Sequence, residues 1–368
     1  WIVFENIGAL PTFKMVETRA KSVRKIGKSI IQRKKTKIKK LFHKKKNIKK
    51  KLYTKKNSKI FRFRKKEILK NRTPLPNYEI CPFKEAIALI LPENSYASFS
   101  GAFTIQVLFG SIDVHGFTIK IGQSENFCLM DTEVITLLSK PSDPDQNVDE
   151  IFSYYSIIAK MDLKRVCSVF TVSQLFLPFH NLVDSFKIFH KTLDFKMRNE
   201  SFDIQHYFNW EALSRNIAES NYRKILVCGK KGIGKSSYIR FLSNFLTQAG
   251  KNVFILDCDP DRSMYNPPSQ ICLHKLIKEN VGYVLNSNLA PIMSVFLGDI
   301  NPSFQPLRYI NGIRYLYGYF RQNYEGTDNN FLILNTFGWI KNYGQGFLTD
   351  TIDAVRPHAC IKIVNNEE

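Results

Sequence analysis

The sequence predicts an α/β protein: a doubly wound, mostly parallel sheet, preceded by a small β-rich domain and a disordered Lys-rich tail. Three observations predict it. Strand-length apolar runs alternate with helical periods from about residue 206 to the end. A glycine-rich segment, Gly229-Lys230-Lys231-Gly232-Ile233-Gly234-Lys235-Ser236, joins the first such strand to its helix. Acids, Asp257 and Asp259, follow the second run, where open α/β sheets carry their ligands.

The chain begins with its charge. Residues 1–72 hold 27 Lys and Arg against 3 Asp and Glu, a net of +24 in a chain of net +22, so the rest nets −2. Blocks such as Lys44-Lys45-Lys46 and Lys49-Lys50-Lys51 repel one another and bury too little apolar surface to fold alone. Residues 1–76 are therefore expected to be disordered. The repeated blocks point to nuclear or nucleolar targeting and to attraction for a phosphate backbone; the alternative is a solvated tail without a specific partner. Met15 heads the basic segment, so residues 1–14 are expected to lie outside the mature protein.

No apolar run reaches the length of a membrane span, and no membrane partner is expected. Seven scattered cysteines without a CxxC pair fit a reducing compartment and supply neither a zinc site nor a disulfide framework.

Residues 77–205 read as the β-rich domain. Ile87–Leu91, Thr104–Phe109 and Phe117–Ile121 are β-rich runs, and Asp113-Val114-His115-Gly116 is a tight turn between two strands. This suggests a sandwich, with a further strand within Leu163–Pro178. Most of 151–205 has no clear period.

Residues 206–368 read as the α/β domain. A helix over Trp210–Glu219 feeds the strand Ile225–Cys228. The glycine-rich segment then matches the phosphate-binding loop pattern GxxxxGK[ST]. Tyr238, Phe241, Leu242 and Phe245 recur at helical spacing, and Gly250 stops that helix. Val253–Leu256 is the second strand. A Pro-rich turn at Asn266-Pro267-Pro268, a strand over Ile292–Leu297, a helix over Leu307–Tyr324 and a strand over Phe331–Leu334 follow. A helix over Phe347–Val355 and a strand over His358–Val364 close the chain. Ending on a strand, it is expected to be part of a longer protein.

In such a loop, backbone N–H groups at a helix N-terminus surround phosphate. Residues Gly229 to Ser236, with Ser237, would hold ATP. Lys235 would reach the β- and γ-phosphates, while Ser236 ligates Mg²⁺ with Asp257 and Asp259 as the acids of the metal site. One acid would serve the metal and the other accept a proton from an attacking hydroxyl; the alternative is that they cap a turn before Pro260. No NKxD-type guanine-reading segment is present, which argues against a GTPase.

Several segments together resemble the polynucleotide 5′-hydroxyl kinase family of nucleolar ribosomal RNA processing. They are Ile225–Tyr238, Leu256-Asp257-Cys258-Asp259-Pro260, Pro267-Pro268, Phe296-Leu297-Gly298-Asp299 through Pro302, Pro306 and Tyr309, and Asn335-Thr336-Phe337-Gly338-Trp339-Ile340-Lys341. The resemblance covers about residues 80–364. It implies transfer of the ATP γ-phosphate to the 5′-hydroxyl of RNA, with Mg²⁺, beside a processing endonuclease in the nucleolus. It implies that Trp339 clamps the substrate end by stacking on a base, a sequence-tolerant contact; the alternative is a half-buried core tryptophan. Gly338 would leave room beside it.

The chain departs from the family on the acceptor side. Asp261-Arg262 stands where the family has Gly-Gln, and Arg262 is a candidate for binding substrate phosphate. Ile300 and Asn301 replace small hydroxyl residues, Phe337 replaces Pro, and the family's arginine-bearing lid is not found after Trp339. The competing expectation is an ATP-binding scaffold for an RNA-processing nuclease, weak or inactive as a kinase.

Overall fold

The computed structural model describes residues 78–83, 86–129, 134–140, 166–175, 195–199, 204–279, 290–338 and 343–364. The tail, Trp339 and most of 141–194 lie outside them.

Ten antiparallel strands form two five-stranded sheets. One has the order β1 (Glu79–Phe83), β2 (Ala86–Pro92), β9 (Val166–Gln174), β4 (Ala102–Phe109), β7 (Ser124–Cys128). The other runs β10 (Lys196–Arg198), β3 (Tyr96–Ser100), β8 (Ile135–Lys140), β5 (Ser111–Val114), β6 (Phe117–Lys120). Alternate residues point inward: Phe103, Ile105 and Val107 from β4 meet Phe99, Ile112 and Ile119 from the second sheet in one buried cluster. The expected sandwich is present, and His115-Gly116 makes the β5–β6 turn with both residues at positive φ.

The second core surrounds a six-stranded sheet of order β14 (Met293–Phe296), β13 (Gln270–Lys275), β12 (Asn252–Asp257), β15 (Asn330–Asn335), β11 (Lys224–Cys228), β16 (Ala359–Lys362). The four strands from β12 to β16 are parallel, whereas β13 and β14 are antiparallel. The sheet is thus mixed, and β13, whose apolar residues are interrupted by His274 next to a Pro-rich turn, is a strand the sequence reading missed. Helices α1 (Ile204–Glu219) and α2 (Lys235–Gln248) cover one face, with Ile217, Ile239, Leu242 and Leu246 against Ile225, Val253 and Ile333. Helices α3 (Pro306–Asn323) and α4 (Tyr343–Val355) cover the other, with Ile313, Leu316 and Phe347 against Leu226, Leu256 and Leu334. The sheet is wound on both sides, as expected. Helix α1 begins six residues before the expected start, so the expected boundary at 205/206 falls inside it.

The sandwich rests on α2. The β5–β6 turn meets the helix so closely that a Cβ on Gly116 would lie 2.6 Å from the Phe241 carbonyl oxygen. Asn244 donates to the His115 carbonyl (3.1 Å), and the Gln248 amide exchanges two bonds with the Thr118 backbone (3.0 and 2.8 Å). Phe241 packs with Tyr96, Leu138 and Tyr207. Helix α2 is therefore buried on two sides, against the sheet and against the sandwich.

Candidate phosphate-binding site

Strand β11 lies between β15 and β16 with Ile225, Leu226 and Val227 fully buried, which fixes where the glycine-rich loop leaves the sheet. Gly229 turns at φ 152°, and a side chain there would meet the Ile363 carbonyl at 2.6 Å. Gly232 and Gly234 take left-handed φ of 78° and 98°, and a Cβ at either would meet nothing within 4 Å. Left-handed residues among right-handed ones form the concave backbone nest that binds anions, and helix α2 starts at Lys235 with its N-terminus at that nest.

Lys235 is almost wholly buried, and its ammonium donates to the Lys230 carbonyl (3.1 Å). Burial pushes its pKa down, and the nearby Asp259 carboxylate opposes that shift. A desolvated ammonium with one carbonyl partner is stabilised by an anion placed against it. Lys231 is exposed and pairs with Asp261, thirty residues on, so the loop and the segment after β12 are tied by an ion pair that sequence reasoning missed.

The two acids differ. Asp257 ends β12 and is fully buried. Its Oδ1 accepts from Asn335 Nδ2 (2.9 Å) and the Asp259 amide (3.2 Å), and its Oδ2 from Ser263 Oγ (3.0 Å) and the Met264 amide (2.6 Å). Burial raises its pKa to about 6 against those bonds. Asp257 therefore orders the 258–264 turn and links it to β15. In Asp259, Oδ1 accepts from the Asp261 and Arg262 amides (3.2 and 3.1 Å), while Oδ2 has no hydrogen bond among the described residues. Burial raises the Asp259 pKa too, with Lys235 pulling it back. Tyr309 of α3 donates to the Cys258 carbonyl between the two acids (2.8 Å) and anchors α3 to this turn.

The segment after β15 closes the site. Thr336 Oγ1 donates to the Val227 carbonyl (2.8 Å). A Cβ on Gly338 would stand 2.9 Å from Lys231 Cα, 3.0 Å from Lys231 N and 3.0 Å from Lys235 Nζ. The room at Gly338 is thus taken by the phosphate loop itself, a role the sequence reading had assigned to the neighbourhood of Trp339. The expected stacking of Trp339 falls outside the described residues.

Loop, buried lysine and strand-end acids define a P-loop nucleotide-binding domain. The family described as mRNA cleavage and polyadenylation factor CLP1 P-loop matches residues 229–368. Curated relatives include the polynucleotide 5′-hydroxyl-kinase GRC3 of Candida albicans, 24% identical over 306 residues that cover 76% of this chain and 43% of that protein. Another is the polynucleotide 5′-hydroxyl-kinase grc3 of Schizosaccharomyces pombe, 30% identical over 194 residues, 49% of this chain and 26% of that protein. A solved Clp1p chain, from a structure of its interface with Pcf11p, shares the fold at 11% identity and a TM-score of 0.50, covering 78% of this chain and 63% of its own. The chain spans less than half the length of these curated relatives.

Proposed function

We propose that this protein is an ATP-dependent polynucleotide 5′-hydroxyl kinase that transfers the γ-phosphate to the 5′-hydroxyl of RNA. The observation that carries the reading is the buried Lys235 ammonium at a left-handed glycine nest, within the electrostatic reach of the Asp259 carboxylate. The names of the relatives supply the acceptor.

The residues fit ATP and Mg²⁺. The nest from Gly229 to Ser237 offers backbone donors and a helix N-terminus to phosphates. Ser236 and Asp259 would supply hard oxygen donors of the kind Mg²⁺ takes, with Asp257 behind Asp259. Among the described residues no group of three or more His, Cys, Asp or Glu forms a metal cage, which suits an ion held largely through phosphates and water. When bound, the metal would neutralise charge on the transferring group.

The remaining work falls to the protein. Lys235 holds phosphate oxygens through the transfer. Asp259, with one oxygen uncommitted, is the acid suited to the metal shell or to the acceptor proton. Asp257, with four hydrogen bonds, positions Asp259. Trp339 and Arg262 are proposed for the acceptor end, and the basic tail for nuclear and nucleolar addressing and for general RNA attraction. An RNA-processing endonuclease is the proposed protein partner; no helix among the described residues is long and apolar enough to cross a membrane.

One observation favours a second reading, an ATP-binding scaffold without transfer. Asp261 engages Lys231 of the loop at a position where the family carries glycine. Purified protein given γ-labelled ATP and a 5′-hydroxyl oligonucleotide decides between them. Labelled RNA, lost with Lys235→Ala, supports the kinase; ATP binding without labelled RNA selects the scaffold.

A further inference from the structure

We infer that the outer face of α3 is a track for single-stranded RNA, carrying the strand away from the phosphate-acceptor turn. The inference rests on the kinase reading for its direction alone. The 18-residue helix contains Arg308, Arg314 and Arg321 and no acid. At 100° per residue the exposed positions between its terminal residues Pro306 and Asn323, namely Leu307, Arg308, Asn311, Arg314, Tyr315, Arg321 and Gln322, fall within an arc of about 140°, and the buried ones lie outside it. Arg314 and Arg321 lie about 20° apart at one edge of that arc, and Arg308 stands at the other edge, about 120–140° round the helix. Among the described residues Arg308 and Arg321 form no ion pair, and Arg314 bonds only Asn311 Oδ1 (3.2 Å).

Two rings and an aliphatic side chain stand among these charges. Tyr315 is 60% exposed on the helix, and Phe304 and Leu307 are 69% and 78% exposed at its N-terminal end. That end is the one tied by Tyr309 to the turn between the two acids. Arginines interleaved with exposed aromatic surface suit a polynucleotide, whose phosphates take the charge and whose bases stack without regard to sequence. From Arg308 to Arg321 the helix rises about 20 Å, enough for several nucleotides. An acidic protein would match the charge but has no use for the rings, so RNA is the favoured occupant.

The test compares the full chain with the triple variant Arg308→Gln, Arg314→Gln, Arg321→Gln. Both are titrated into a 3′-labelled 5′-hydroxyl oligouridylate of about twelve nucleotides over a series of salt concentrations, with thermal melting to check the fold. The basic tail is common to both proteins, so the difference isolates the helix. Loss of three phosphate contacts should lower the slope of log Kd against log salt by about 2, which near 0.1 M salt is about a hundredfold weaker binding. A uridine dinucleotide should lose nothing as kinase substrate, while KM for the longer strand rises at unchanged kcat. A separate Tyr315→Ala change should weaken the long strand about tenfold.

Unchanged slope and affinity in the folded triple variant would overturn the inference, as would equal loss for the dinucleotide; either outcome includes the case where an acidic protein covers this face. Failure of the kinase reading looks different: neither protein phosphorylates RNA, yet the difference in salt slope remains.

Discussion

A single methyl group at position 338 should disable nucleotide binding while leaving the fold largely intact. In Gly338→Ala the new carbon would sit 2.9 Å from Lys231 Cα and 3.0 Å from Lys231 N. Carbon atoms rest about 3.5–4.0 Å apart, so the overlap is about 0.6–1 Å. The Lys235 ammonium, also 3.0 Å away, can swing aside; the loop backbone cannot. The loop must shift by a comparable distance from the geometry set by β11. Overpacking of this kind costs about 1–3 kcal/mol of stability. A misplacement near 1 Å in a positioned site costs about a hundredfold, or about 2.7 kcal/mol of ATP binding. Calorimetric titration with ATP measures the affinity, and urea denaturation measures the stability. The Gly318→Ala change is the control, since a Cβ there meets nothing within 4 Å and alanine should stabilise α3 by about 0.5–1 kcal/mol. Wild-type ATP affinity in Gly338→Ala would refute the claim that this contact sets the loop.

Replacing Lys235 with Met should lower phosphoryl transfer by about a hundredfold to a thousandfold without lowering the melting temperature, because it removes both a phosphate donor and a desolvated charge; transfer rate and melting are read on the same sample. Asp257→Asn should destabilise by about 2–4 kcal/mol in urea, since an amide NH₂ would face either the Ser263 and Met264 donors or those of Asn335 and Asp259. His115, whose ring Nε2 is buried without a partner, has its pKa lowered to about 3 by burial and then by Arg240. Its folded pKa lies below its unfolded one, so its contribution to stability is full above about pH 6.5 and is lost as pH falls towards 3; between pH 7 and 5 the loss is at most about 2 kcal/mol. His115→Asn, which suits the left-handed backbone at φ 49°, should flatten that part of the pH–stability curve relative to wild type, read by denaturant titration at each pH.

The parts legible in the sequence were those set by local pattern. The GxxxxGK[ST] segment, the apolar runs of β11, β12 and β15 and the periods of α2 and α3 each need only a few neighbouring residues to be recognised. What escaped depends on partners far along the chain. Strand β13 is held by pairing with β12 and β14, and its own apolar run, Ile271-Cys272-Leu273, is short and broken by the fully buried His274. The Lys231–Asp261 pair joins residues that no motif connects. The division of labour between Asp257 and Asp259 appears only when Asn335, 78 residues away, is seen bonded to the first and not to the second. Gly338 was noticed for its smallness, but the surface that requires it lies in the loop a hundred residues earlier.

The two-sided burial of α2 has a consequence for how damage to this protein would present itself. Phe241, Tyr207 and Trp210 form a shared aromatic joint with Tyr96 and Leu138 of the sandwich. A fragment cut at the sandwich border would bare that joint and be sticky, so expressing the nucleotide-binding half by itself is expected to give aggregates rather than a smaller enzyme. By the same token, lesions in the β5–β6 turn, far along the chain from any phosphate, should surface in a genetic screen as apparent ATP-site mutants.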